Sequence, residues 1–268
     1  MISACIPSSM KIVISTAVIR NITMTGISIN GAESAGGIVG ENLGMIQSCS
    51  VSGSMTATGT NAGGIAGNNL GGTVRACHTS VTITGFWNVG GISGASRGTV
   101  DNCYSTGNIT STGQNVGGIV GYNFSEGSSG KISNCYSVGS IKGSGYTGGI
   151  AGSNTTGCTI TNCAALNPSV KEEFWVCRIT GGNGGTLTNN YAYAGLLNNS
   201  NNTTWNYKGA TDRDGADVTG ALAKTQSTYT GMGWSFGSTV TAPWKFISGY
   251  PPVLYWQTAY PVTLTHLN

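Results

Sequence analysis

Apolar residues in this chain stand singly or in pairs among Gly, Ser, Thr and Asn, and they fall into columns once the double glycines are aligned. "GGIVG" begins at Gly36, "GGIAG" at Gly63, "GGISG" at Gly90, "GGIVG" at Gly117 and "GGIAG" at Gly148. A decayed sixth copy, "GGN", starts at Gly181. The first three intervals are 27 residues each, and the later ones are 31 and 33. Ile46, Val74, Val100, Ile132, Ile160 and Leu187 make one apolar column. Three residues on come Cys49, Cys77, Cys103, Cys135 and Cys163, with Asn190 in the sixth slot. Ser48, Ala76, Asn102, Asn134, Asn162 and Asn189 lie just before them, and Met55, Ile83, Ile109 and Ile141 form a further column. A partial earlier copy, "IRNITMTG", sets Ile19, Asn21 and Ile22 in the same slots.

Self-similarity at such a period means that each unit is one turn of a solenoid. Each unit offers three short strand pieces, of the "GGIVG", "CYSTG" and "NITST" type, bounded by turn formers. The prediction is an all-β fold, a right-handed parallel β-helix with one repeat per coil. Coils stacked about 4.8 Å apart would hydrogen-bond strand to strand and turn each column into a ladder of like side chains. One Ile, Val or Cys per strand then fills the narrow interior. The glycines are expected at corners with positive φ or crowded backbone. The Asn column suits a left-handed corner with stacked amides.

Residues 1–18 are expected to supply an N-terminal cap and a first partial coil, because a solenoid end exposes strand edges. The β-helix covers 19–202, with 171–180, "KEEFWVCRIT", as a loop or flap. Residues 203–268 read as a C-terminal cap that lays Trp205, Trp234, Phe236, Trp244, Phe246, Tyr250 and Trp256 over the last coil. Within it, "DVTGALAKTQ" predicts one short helix with Thr219 as N-cap.

Composition narrows the function classes. Charged residues are 8% of 268, hydrophobic residues 39%, and glycine fills 44 positions. So little charge argues against a solvated disordered chain. The net charge of +3 is spread thinly, without the basic cluster that nucleic-acid binding needs. The apolar run from Ile12 to Ile19 is too short to span a membrane. Lys11 before it gives only the outline of a signal peptide, without a clean cleavage site, and a first strand is the better reading.

The eight cysteines raise the question of disulfides. Five share one interior column, where parallel side chains give poor bridging geometry, so they read as reduced core thiols. Cys158 and Cys177 lie outside it, and a bridge between them stays open. Zinc is not supported: there is no CxxC pair, and His78 and His266 lie far apart. Of nine acids only Asp101 lies on a regular repeat strand, while Glu33, Glu41 and Glu126 are at turns. Asp101 and Arg75 occupy one outward column in adjacent coils and predict an exposed ion pair. No paired carboxylates and no Ser/His/Asp set are found, so the chain reads as no enzyme, and no cofactor is implied. "DRDGAD" offers Asp212, Asp214 and Asp217 as a weak calcium-loop candidate, lacking the closing Glu of an EF-hand, against a plain polar turn.

The outward column after each cysteine reads Ser50, His78, Tyr104, Tyr136, Ala164 and Tyr191. Its aromatic members would stack into a strip about 10 Å long, suited to sugar rings. The alternative is that Tyr simply favours exposed strand positions. A Thr-x-Thr array beside Ile83 and Ile109 has the form of an ice-binding face, but Asn108 and Lys142 break it.

These columns also carry a resemblance. "GGIVGYN", "TVDNCYSTGNI" and "KISNCYSVGSI" resemble the GLUG repeat of bacterial surface and secreted proteins, found too beside the catalytic domain of IgA-cleaving metallopeptidases. "TQSTYTGMGWSF", "PWKF" and "GYPPVLYWQ" are similar to the segment that commonly closes such regions. The likeness spans about residues 19–256. It implies an extracellular, adhesin-like module of the bacterial cell surface, and no reaction, since the metallopeptidase zinc motif is missing. The expected partner is a host or microbial glycan or a surface protein. An accessory domain of a larger secreted enzyme and a self-assembling filament subunit are the rival readings.

Overall fold

In the computed structural model, which describes residues 11–172, 174–258 and 264–268, each repeat folds into four short strands separated by tight corners. In one coil these are Trp87–Gly90 (wall I), Ser93–Ser96 (wall II), Thr99–Asp101 (wall III), and Tyr104–Ser105 with Ile109–Ser111 (wall IV). Equivalent strands of successive coils pair in parallel along every wall. The chain is therefore a parallel β-helix, as the repeat predicts. Val74, Val100 and Ile132 are direct neighbours on wall III, and the column runs on from Ile19 to Leu187. On wall IV, Met55, Ile83, Ile109 and Ile141 are extended by Ile29 before them and Val170 after. These columns are the core, almost wholly excluded from solvent.

The count of four strands rather than three has a steric origin. The double glycine is a bend between walls I and II, not a strand centre. A Cβ on Gly90 would lie 2.0 Å from the Ser93 carbonyl oxygen and 2.7 Å from the Gly121 nitrogen of the next coil. Crowding, not positive φ, reserves this slot for glycine. The "CYSTG" and "NITST" pieces share wall IV, continuous in His78–Gly85 and split in later coils.

The corner column Asn21, Ser48, Ala76, Asn102, Asn134, Asn162 and Asn189 adopts left-handed φ throughout, from 50° to 59°. A second left-handed corner, Ser34, Asn61, Asn88 and Asn115, stands two residues before each double glycine, where wall IV passes into wall I. Its amides interlock: Asn88 Nδ2 donates to Asn61 Oδ1 and Asn115 Nδ2 to Asn88 Oδ1, each at 2.8 Å. A third amide ladder lies inside wall II, where Asn123 donates to Asn154 and Asn154 to Asn183.

Two expectations about the later coils are corrected. Cys177 stands opposite Gly148 and Thr180 opposite Ala151, so Cys177 and Arg178, not "GGN", fill the sixth glycine slots. Residues 171–180 are accordingly coil rather than flap, with strands at Val170–Lys171 and Val176–Cys177. A side chain fits there because no full coil stacks beyond it. Arg178 takes that space, wholly buried, with Nη1 donating to Asp217 Oδ1 at 2.6 Å and Nη2 to the Gly215 carbonyl at 2.9 Å.

The C-terminal residues also differ from the expected cap. Trp205 alone plugs the end of the core, its indole N–H donating to the Leu196 carbonyl at 3.0 Å. Ala216–Val218 adds a last strand to wall IV. The chain then reverses through a 3-10 turn at Leu222–Lys224 and a short α-helix at Gln226–Gly231. The single helix expected over "DVTGALAKTQ" is thus replaced by a 3-10 turn whose N-cap is Ala221, and the helix after it starts from Thr225. Thr219 is not a cap, though its hydroxyl accepts the Leu222 N–H. From there the segment runs back along the outer face of wall IV rather than over the end. At the other end, Lys11–Ile12 and Val18–Arg20 already belong to walls II and III, while residues 1–10 of the expected cap lie outside the described residues. Among the described residues no helix is long and apolar enough to cross a membrane.

Candidate functional site

The aromatic column of wall IV forms as its register requires. His78 stacks on Tyr104 with ring centroids 4.2 Å apart, and Tyr104 on Tyr136 at 4.7 Å, nearly parallel. Its centre is closed to a ligand, while His78 at one end is half-buried and lines a cavity of about 330 Å³ with Ser50, Ser80 and Trp256. Tyr104 and Tyr136 are 3% and 2% exposed, because the C-terminal segment lies on them. Trp244 packs 5.8 Å from Tyr136 and 4.4 Å from Trp234. The hydroxyls of these two tyrosines are matched. Tyr104 Oη donates to Gln257 Oε1 at 2.8 Å and Tyr136 Oη to the Pro252 carbonyl at 2.7 Å. Three indole N–H groups land on the left-handed corner: Trp256 on the Ala76 carbonyl, Trp244 on Asn102 Oδ1 and Trp234 on the Asn162 carbonyl. Burial pushes both tyrosine hydroxyls well above their usual range and lowers His78 to about 4, so these rings stay neutral at neutral pH. Ala164 interrupts the stack, and Tyr191 packs half-buried against the same segment. The strip His78, Tyr104, Tyr136 and Tyr191, expected to meet a glycan, instead receives the chain's own tail.

A second aromatic group remains open, on the other side of the coil. A groove of about 590 Å³ runs along walls I and II, lined by Trp87, Tyr122 and Tyr146 with Asn88, Gln114, Asn115 and Ser153. Its rings are set by register. Tyr146 and then Trp175 take over the corner slot held by asparagine in earlier coils, since Val116 N–H donates to the Tyr146 carbonyl and Thr147 N–H to the Trp175 carbonyl. Tyr122 sits on wall II between Ala95 and Ser153, so its ring rises above small neighbours. The Tyr146 ring lies over Gly182, where a Cβ would meet its Cδ1 at 3.1 Å. Between the rings, Ser153 Oγ donates to Asn115 Oδ1 at 2.6 Å, continuing the locked amide ladder. None of the lining residues is charged. Ring faces beside fixed amides and hydroxyls suit a ligand that is apolar on its flat face and wet at its rim.

The remaining candidates are structural. All five column cysteines are free and fully buried, each thiol donating to the carbonyl two residues before it, as Cys103 does to Asp101 at 3.2 Å. Burial pushes the Cys77 and Cys135 thiols well above the usual value. Asn190 ends the ladder by accepting the Cys163 N–H in place of a sulfur. Cys158 and Cys177 are both free, so no bridge joins them. The Arg75–Asp101 pair forms at 3.2 Å, but Asp101 is buried and also accepts Asn102 Nδ2, Ser133 Oγ and Asn134 Nδ2. It is a corner hub rather than an exposed pair. Asp212, Asp214 and Asp217 do not converge on a cation. Asp214 points inward to the Arg178 and Tyr207 backbone N–H groups, and Asp217 bridges Arg178 and Lys208. Among the described residues no three His, Cys, Asp or Glu side chains gather to hold a metal.

Trp87, Tyr122 and Tyr146 were missed as site residues. Their signal is an aromatic ring in columns that otherwise hold smaller or polar residues, such as Thr60 beside Trp87 and Ala95 and Ser153 beside Tyr122, and it is visible only once four walls are drawn. The GLUG motif matches the chain three times, over residues 87–110, 112–142 and 143–171, the coils that carry those three rings. No curated protein and no solved structure matches the chain.

Proposed function

We propose that this GLUG-motif repeat protein is a noncatalytic adhesion module, displayed on or secreted from the cell, that holds a neutral glycan in the groove of walls I and II. The observation that carries this reading is the uncharged groove itself, with Trp87, Tyr122 and Tyr146 around a ladder of hydrogen-bonded amides. A sugar ring placed on Tyr122 or Tyr146 would set its C–H face on the aromatic and its hydroxyls toward Asn88, Gln114 and Ser153. The amides are already fixed by their neighbours in the stack, which lowers the ordering cost of binding. The groove offers amides, hydroxyls and rings but no carboxylate, imidazole or thiol to transfer a proton or attack a bond, so binding rather than turnover is its chemistry.

A glycan array probed with the intact chain tests this. The expected result is binding to neutral glycans that persists as salt is raised, since no ion pair contributes. Binding confined to sulfated or uronate glycans and lost in salt, or no binding at all, would overturn it.

A further inference from the structure

The groove does not end at Tyr146. The corner that carries Asn88 and Asn115 continues through Tyr146 to Trp175, whose rings stand 5.6 Å apart. Trp175 is 54% exposed and also lines a second cavity, of about 390 Å³, at the C-terminal end of the solenoid. The charged members of that cavity are engaged within the chain: Glu172 accepts the Trp175 N–H, Asp214 accepts the Tyr207 N–H, and Arg213 donates to the Gly181 carbonyl. Ring and amide positions along this corner repeat once per coil, at roughly 4.8 Å. An extended β-linked hexose chain advances by close to that distance per sugar. An α-linked chain coils away from a straight track.

We infer that the groove and the end cavity are successive subsites of one track parallel to the solenoid axis, which takes an extended, neutral, β-linked hexose polymer with one sugar per coil. Asn88 and Asn115 meet hydroxyl rims, Tyr146 stacks an inner sugar, and Trp175 stacks the sugar beyond it and hands the chain to the end cavity. The inference rests on the glycan reading above and adds to it the linkage, the direction and a minimum length.

Calorimetry with β-1,4-linked glucose and N-acetylglucosamine oligosaccharides, from dimer to hexamer, tests it against α-1,4-linked glucose oligosaccharides of equal length. Affinity for at least one β-linked series should rise stepwise from dimer to tetramer, by severalfold or more overall, and the α-linked series should stay flat. Trp175→Ala should erase the gain beyond the trimer while trimer affinity stays the same, because the three inner coils keep Asn88, Asn115 and Tyr146 and Trp175 does not line the inner groove. Affinity that levels off at the dimer, an α-linked series that gains as much, or an unchanged length dependence in Trp175→Ala would overturn the track and leave the neutral-glycan site standing. Failure of every oligosaccharide to bind, with glycan binding also absent on the array, would remove both.

Discussion

Two aromatic groups stand on this scaffold, one a column and one not, and they meet opposite fates. His78, Tyr104 and Tyr136 on wall IV are stacked in perfect register and closed over at Tyr104 and Tyr136, whereas Trp87, Tyr122, Tyr146 and Trp175 on the other side stay accessible. Both supply flat rings on successive coils, the first in one column and the second spread over wall I, wall II and the corner between walls IV and I. What separates them is a segment more than a hundred residues away in sequence. Trp234, Trp244 and Trp256 bring indole N–H groups to a row of corner acceptors beside the first group, and among the described residues nothing of the kind crosses the second. A regular aromatic ladder is thus as good a docking surface for the chain's own tail as for a ligand. Its partner, not its regularity, decides its role.

The comparison can be broken most severely at the coil stack that supports both groups. Cys103→Asp places a charge in a closed interior where the sulfur meets the Val74 and Asp101 carbonyls and a single backbone N–H, that of Cys77, and the chain should fail to fold, read as loss of the far-UV circular dichroism of the wild type. Trp244→Ala removes the centre of the strap, a side chain with no exposed surface. It should cost about 3–5 kcal/mol in denaturant unfolding while leaving glycan affinity at the groove unaltered. The double change Tyr122→Ala/Tyr146→Ala should do the reverse. Two stacking rings at roughly 1 kcal/mol each predict a loss of about 30-fold in affinity with little change in melting temperature. Tyr104→Ala/Tyr136→Ala, a change aimed at the closed column, should destabilise the fold without that loss.

The smallest effect concerns the root of the strap. Burial raises the Asp217 carboxyl, but hydrogen bonds from Arg178 and Lys208 outweigh it and hold the group below its ordinary value of 3.8. A carboxyl depressed in the folded state contributes stability above its unfolded value and loses it as pH falls through the folded one. The wild type should therefore shed a share of its stability below pH 3.8, and Asp217→Asn should lack that acid step in pH-dependent melts.

The coil stack was legible in the sequence because side-chain columns and strand register are the same information in a parallel solenoid. Val100, Ile132 and the cysteine ladder could be placed without coordinates. The left-handed asparagine corner was readable for the same reason, since Asn tolerates positive φ. The fourth wall was hidden by the double glycine, which punctuates like a strand but bends like a corner. Exposure was hidden too. An outward position on wall IV says only that Tyr104 leaves the core, and the tail that covers it is held by contacts of long sequence separation that no repeat encodes. Tyr122 and Tyr146 escaped notice because each breaks a column instead of building one.

Hydroxyl-radical footprinting read by mass spectrometry tests the central contrast most directly. Free protein should be oxidised at Trp87, Tyr122, Tyr146 and Trp175 and protected at Tyr104, Tyr136 and Trp244, and a saturating neutral glycan should protect only the first set. Oxidation of Tyr104 and Tyr136 in the folded chain, or glycan protection that falls on them while Tyr122 and Tyr146 remain reactive, would contradict it.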